Sequence, residues 1–499
     1  MTALRLASPS AAEDRAERRR WIALAVVVAA QFMVVLDVAI VNVALPSIRS
    51  DLHFTQESLQ WVVTAYSIIF GGVLLLGGRM GDLIGRRRLF IAGIVLFTLS
   101  SLSAGLAWSE ASLIAFRALQ GLGAALLAPA ALSILTTTFS EGRERNLALG
   151  VWGAVSGSGG ATGVLLGGFL TSTLSWSWIF FINVPVGALI VGVSPWLLRE
   201  SRAQLEHRHF DAAGAASVTG GLMLLVYALT RASQHGFATL ETVGLLTGSA
   251  ALVLAFVVIE LRSKAPLLPL RLFRLPTLRG ANVAGVLNGA AAFSQFFLLT
   301  LYMQEVLHYS ALRTGAAYLT MTLAVITFSN VAQGLVTRVG IQRVLPFGLT
   351  LSAVALLLYT RLPVEGHYFF DLFPAMLIGG IGLAFTFVPT AIAALTGIRP
   401  AEAGVASGLI NTSQQVGGAI GVAMSSTIAA TVTGNFVSSH PGTTVLSGAA
   451  LTDGFQAAFY VLAGLAALGA ALAAVLIRSR PSAPEAVVAG EAAPLEEAA

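Results

Sequence analysis

Runs of about twenty apolar residues recur from one end of this chain to the other, and each is long enough to cross a bilayer as a helix. Fourteen such spans are legible: 21–45, 59–78, 88–107, 112–136, 146–171, 178–198, 212–230, 241–261, 280–301, 313–337, 341–360, 370–396, 403–430 and 455–477. Membrane-spanning strands would alternate apolar and polar residues, and these runs do not. The 499 residues are 56% hydrophobic and only 11% charged. A soluble domain, with about a quarter of its residues charged, covers its surface in a way this chain cannot. The expected class is an all-α, multi-pass membrane protein.

The arginines give these spans a direction. If the N-terminus is cytoplasmic, 24 of the 29 Lys and Arg residues fall in inner segments, and only Arg49, Arg231, Arg313 and Arg361 fall in outer loops. That asymmetry is the positive-inside rule, and shifting the count by one span would scramble it. Both termini are therefore expected in the cytoplasm. The spans divide as six, two and six. The expected units are a cytoplasmic segment 1–20, a six-helix half 21–198, linkers with two extra helices 199–279, a second half 280–477 and a disordered Ala/Pro/Glu-rich tail 478–499. "GRMGDLIGRRR" after the second span and "GLVTRVGIQR" after the tenth are a faint internal echo, as repeated transporter halves show.

Several function classes drop out. The first twenty residues lack the apolar centre and cleavage site of a signal peptide. There is no cysteine and a single lysine, Lys264, so disulfides, thiolate metal sites and a Gly-Lys-Ser/Thr phosphate loop are excluded. "EHRHF" at 206–210 reads as a solvated linker rather than a metal tract. No nucleophile–base constellation points to an enzyme, and no basic, aromatic-laced patch points to nucleic acid. No cofactor or metal is expected.

The one basic residue left over is Arg117, inside the fourth span, and the clear acid inside a span is Asp37, in the first. Asp37 lies eight residues from the outer end of its span, about 12 Å, and Arg117 about 8–9 Å from the outer end of its own. The two charges should thus share a depth. A lone charge there costs several kcal/mol or more unless paired, neutralised or wetted. Burial favours the neutral form of a carboxyl group and a nearby guanidinium favours the charged form. That opposition suits a group that takes up and releases protons at a water-accessible crevice; a static salt bridge is the plainer alternative. Gln31 and Asn42 share one face of the first helix and Asp37 another, so one face should line a cavity and the other pack.

Other segments carry smaller signals. "RALQGLG" sets Arg117, Gln120 and Gly121 on one helical face. "GGRMGDLIGRRR" (77–88) reads as a tight connection in which Asp82 pairs with an arginine or sits at the N-terminus of the third span, an electrostatic latch made in one conformation and broken in another. Glycines in "GVWGAVSGSGGATGVLLGG" (150–168) permit close packing or bending of the fifth span.

Taken together, four of these segments resemble the major facilitator superfamily, in its fourteen-helix drug:proton antiporter branch. They are "LDVAIVNVALP" (36–46), "GRMGDLIGRRR", "RALQGLG" and the glycine run. "WSWIFFINVPVG" (176–187) and "GVASGLINTSQQVGGAIGVA" (404–423) are similar to the same branch. The resemblance implies a major facilitator fold of two six-helix halves plus two extra central helices. It also implies alternating access, with the proton gradient as energy source, lipid and small amphiphilic substrates as partners, and a monomer in the cell membrane. By motif position Asp37 and Arg117 would carry proton coupling, and Gly78, Asp82, Gly85 and Arg86 the conformational switch. Gly150, Gly159, Gly163, Gly167 and Gly168 would form the antiporter motif. That motif departs here at Val164, where the family has proline, which puts its bend in question. Candidate cavity residues are Gln31, Asn42, Trp61, Tyr66, Gln120, Asn288, Phe293, Gln295, Asn411 and Gln414; Glu305 and Asp371 sit near outer helix ends. The expected function is proton-coupled export of drugs or antibiotics. The alternatives are an exporter dedicated to one endogenous metabolite and a non-transporting membrane sensor.

Overall fold

The computed structural model describes residues 11–477 apart from 55, 60, 141, 203–210, 264–265, 400–401 and 446. The tail, Lys264 and the 206–210 tract therefore lie outside the described residues. Within them the backbone is helical with no strand. In lipid every N–H and C=O needs a partner inside its own segment, and a helix supplies it. The long helices are α1 (Ala11–Leu52), α2 (Trp61–Ile84), α3 (Arg86–Gly105), α4 (Glu110–Thr138), α5 (Arg143–Thr173), α6 (Asn183–Leu197) and α7 (Ala212–His235). They continue as α8 (Leu240–Arg262), α9 (Pro276–Leu301), α10 (Ala311–Val339), α11 (Ile341–Tyr359), α12 (Phe373–Leu395), α13 (Ala403–Ser439) and α14 (Gly448–Leu476). Among the described residues thirteen segments are long and apolar enough to span a bilayer, and α5, bent by 42° between Gly160 and Thr162, makes fourteen. The bend exists without the proline, and Val164 instead packs into the core of the second half.

Local chemistry sets the ends. Ser109, Asp211, Thr239, Ser310 and Ser447 each accept a backbone N–H in the first turn of α4, α7, α8, α10 and α14. The two echoing segments turn at Gly85 (φ +123°) and Gly340 (φ +86°), each preceding the next helix, a conformation that side chains disfavour. Two boundaries differ from expectation. Helix α1 begins at Ala11, so the charged segment before the first span is its opening turns. Helix α2 runs through to Ile84, so the supposed glycine-rich connection is helical up to Gly85.

Helices α1–α6 pack among themselves, as do α9–α14, and the two sets meet along α2–α13 and α5–α10. Helix α7 lies against both α2 and α13, while α8 packs on α7 with most of its surface exposed. The buried apolar residues show how the sets are joined. At the arginine-rich end one continuous core draws on both, from Leu74 and Leu135 to Val388 and Val405. At the opposite end the buried apolar residues form two clusters: Leu36, Ile40 and Phe180 lie in one, and Leu298, Tyr318 and Phe459 in the other, which also takes in Val164 of α5. The two sets thus share one core at the basic end, and at the other they are joined through α5 and α10, where Leu165 packs on Gly315.

Candidate functional site

Asp37 and Arg117 face each other inside the first half. Arg117 Nη1 donates to Asp37 Oδ2 at 2.6 Å, with the two side chains 1% and 0% exposed. Helix α4 presents Arg117 with Gln120 one turn on. Gln120 accepts from Arg117 Nη1 at 2.7 Å through Oε1 and donates to Asp37 Oδ1 at 2.8 Å through Nε2. Arg117 Nε also donates to the Val62 carbonyl at 3.0 Å, and the guanidinium lies 4.4 Å from the centre of the Tyr66 ring. Buried charges are tolerated when paired and hydrogen-bonded in this way, and removing one partner strands the other.

A fourth side chain completes the shell. Asn183, at the start of α6, donates through Nδ2 to Asp37 Oδ1 at 3.2 Å and to Ser101 Oγ of α3 at 3.1 Å, and Ser101 donates to the Phe180 carbonyl at 2.9 Å. Neither Asn183 nor Ser101 was expected from sequence, although Asn183 is the polar break in the apolar stretch 178–187. In this conformation the pair is enclosed, not at the open crevice expected. Asp37 lies on the packed face of α1, whereas Asn42 on the other face is exposed and donates to the Val38 carbonyl. Gln31 is buried, and among the described residues its Oε1 has no hydrogen-bond partner.

The loop segment forms a second centre at the basic end. Arg86 donates to Asp82 Oδ1 through Nε at 3.3 Å and Nη2 at 2.8 Å. Asp82 Oδ2 accepts the Val405 N–H at 3.3 Å. Of the two expectations for Asp82, the pairing with an arginine is what the structure holds, through Arg86; Val405 lies in the first turn of α13, so the helix that Asp82 caps belongs to the other half and is not α3. A Cβ at Gly78 would run into the Gly404 carbonyl, so the glycine lets α2 and α13 touch backbone to backbone. Gly85 packs on Glu200, whose Oε1 accepts the Arg87 N–H at 3.2 Å. Ser407 Oγ to the Pro129 carbonyl (2.8 Å) and Asn146 Nδ2 to Thr337 Oγ1 (3.4 Å) tie the halves further.

The glycines of α5 divide between two partners. Gly159, Gly163 and Gly167 pack on Val35, Ala39 and Ile40 of α1, whereas Gly150 packs on Gln333 of α10 and Gly168 is simply buried. The candidate cavity residues do not form one surface. Tyr66 and Gln120 belong to the ion-pair cluster. Trp61 stacks on Tyr227 of the extra helix α7 at 5.8 Å. Gln295 is buried inside the second half, its Nε2 3.5 Å from the Tyr359 hydroxyl. Asn411 bonds back to the Ser407 carbonyl at 2.8 Å. Phe293 and Gln414 both lie along the α9–α13 seam, where Gly289 meets the Gln414 backbone and Gly418 meets the Phe293 ring; Asn288 is buried on the same helix as Phe293. Glu305 is exposed, and Asp371 accepts the His367 N–H at 2.7 Å.

Two sets of membrane-spanning helices that share one core at the basic end, with a buried ion pair inside one set, define a membrane transport protein. The Major Facilitator Superfamily family model matches residues 27–422, and the chain belongs to that superfamily. It is 39% identical to the puromycin resistance protein of Streptomyces alboniger, over 95% of this chain and 94% of that one. It is 41% identical to the cephamycin export protein of Amycolatopsis lactamdurans, over 84% and 86%. The crystal structure of the human organic anion transporter MFSD10 shares the fold, with a TM-score of 0.65 at 16% identity, covering 92% of this chain and 99% of that chain.

Proposed function

We propose that the protein exports amphiphilic, antibiotic-like compounds in exchange for protons, working as a monomer in the cell membrane with its arginine-rich end and both termini in the cytoplasm. Asp37 is the proton-binding group and Arg117 the fixed cation that holds its charge, so that loading and release of the proton bias which end of the molecule is closed. No cofactor is needed, because the gradient supplies the energy. The observation that carries this reading is the enclosed Asp37–Arg117 contact of 2.6 Å. A charge pair so deep in a membrane helix bundle is costly to maintain and marks ion pathways. The position of Asp82 at the N-terminus of α13 supports the switch role of Gly78, Asp82, Gly85 and Arg86.

The test is ethidium efflux driven by an imposed proton gradient in proteoliposomes. Asp37→Asn, which keeps the shape and removes the charge, should reduce gradient-driven efflux to the rate of protein-free vesicles. Wild-type efflux from Asp37→Asn would remove the coupling role. A narrower reading, export of one compound, draws on relatives named for single antibiotics, puromycin and cephamycin among them. Growth protection against one compound of an antibiotic panel supports it, and protection against several unrelated ones supports the broad reading.

A further inference from the structure

Asp37 is surrounded for only one of the two forms a proton carrier must adopt. Among the described residues its oxygens are met by N–H donors alone: Arg117 Nη1, Gln120 Nε2 and Asn183 Nδ2. An ionised carboxylate only accepts, so this shell fits it. A protonated carboxyl bears an O–H that needs an acceptor, and a fully buried O–H without one carries the whole cost of its lost hydration. The charged and titratable groups facing Asp37 among the described residues are Arg117 from α4 and Tyr66 from α2; α3 and α6 bring only the neutral Ser101 and Asn183, and α5 packs glycines on α1.

Of the donors, one can reverse its role. Arg117 has no acceptor atom. Gln120 is locked, because its Oε1 already takes the Arg117 Nη1 proton at 2.7 Å and a half-turn would set NH₂ against guanidinium. Asn183 is free to turn, since among the described residues no hydrogen bond reaches its Oδ1, while its Nδ2 bridges Asp37 and Ser101 at 3.2 and 3.1 Å. After a half-turn, Oδ1 would sit between the same two neighbours. It would accept the O–H of protonated Asp37 on one side and the Ser101 O–H on the other. The Ser101 hydroxyl, which now donates to the Phe180 carbonyl, would swing round to make that bond.

We infer that Asn183 is a positioning residue of the proton site, an amide that turns over when Asp37 is protonated and so serves both forms of the carboxyl. The inference rests on the proton-coupling reading. The proton comes from the aqueous phase, the only new covalent bond is the carboxyl O–H, and the Asp37–Arg117 pair passes from neutral to singly positive. Arg117 then keeps Gln120, the Val62 carbonyl and the Tyr66 ring as partners. Release of the Phe180 carbonyl removes one tie between α3 and the turn Trp178–Phe181 ahead of α6, which gives the proton a mechanical consequence.

Infrared difference spectra of the full chain in proteoliposomes, titrated from neutral to acid pH, test this, with the Asp37 carboxyl band assigned by its loss in Asp37→Asn. In Asn183→Leu the band should move to the higher frequency of a carboxyl lacking an acceptor. Gradient-driven ethidium efflux should fall about tenfold, the worth of one hydrogen bond, with a displaced pH profile and little change in KM. Ser101→Ala, which touches Asp37 only through the amide, should move the band in the same direction by less. An Asp37 band unchanged in Asn183→Leu, or in Ser101→Ala should the first variant not fold, overturns the inference. Because the band is read without transport, its shift in Asn183→Leu alongside undiminished efflux from Asp37→Asn would retain the amide and discard the coupling.

Discussion

Arg117 is bonded to Asp37, Gln120 and the Val62 carbonyl at once and lies over the Tyr66 ring. Only a planar fork with several fixed donors makes all four contacts; a lysine ammonium is a single point of charge on a flexible stem. Arg117→Lys should therefore keep the charge yet slow gradient-driven efflux at least about tenfold, the loss of one such contact, and lower the thermal unfolding midpoint in detergent. Wild-type efflux and melting from this variant would mean that charge alone matters. Asp37 and Arg117 were legible in the sequence because an ionised side chain amid apolar residues is conspicuous. Asn183 was not, because a single neutral amide at a helix start is unremarkable until α1, α3 and α6 converge on it.

Among elements, the contact of α2 with α13 depends on the absence of side chains at Gly78 and Gly404 and on Asp82 reaching the first turn of the opposite helix. A Cβ at Gly404 would meet both the Gly78 carbonyl and the Asp82 carboxylate. Gly404→Ala should therefore part the basic end. Ser407, fully buried beneath this contact, reports on it, since Ser407→Cys would be the lone thiol of a cysteine-free chain. Maleimide labelling of that thiol should speed up severalfold when Gly404→Ala is added, and an unchanged rate would show that the joint tolerates a methyl group. The echo between the loops was visible in sequence, and its shared physical content is the left-handed glycine at Gly85 and Gly340. The capping partner of Asp82 was hidden, because it lies more than three hundred residues away along the chain.

For the whole molecule, the apolar runs were enough to reach an all-helical membrane chain of fourteen spans. The conformation was not legible, since only the packing of distant helices shows which end is closed. The core shared by both sets at the basic end identifies that end as the closed one. Asn146 and Thr337 touch across the closed end at 3.4 Å. The double variant Asn146→Cys with Thr337→Cys should cross-link under mild oxidation, abolish ethidium efflux and regain it on reduction; full-rate efflux in the cross-linked form would mean that this end need not open.

The extra hairpin makes the two sides of the barrel unequal. Met223, Val226 and Tyr227 of α7 cover Gly72, Gly71 and Trp61, so the α2–α13 joint is roofed by a second layer, whereas α10 turns Leu319, Leu323 and Ile326 outward beside its joint with α5. A lipophilic molecule diffusing within the bilayer thus meets a double wall on the first side and a single one on the second. Whatever passes sideways between leaflet and interior has the shorter path past α5 and α10.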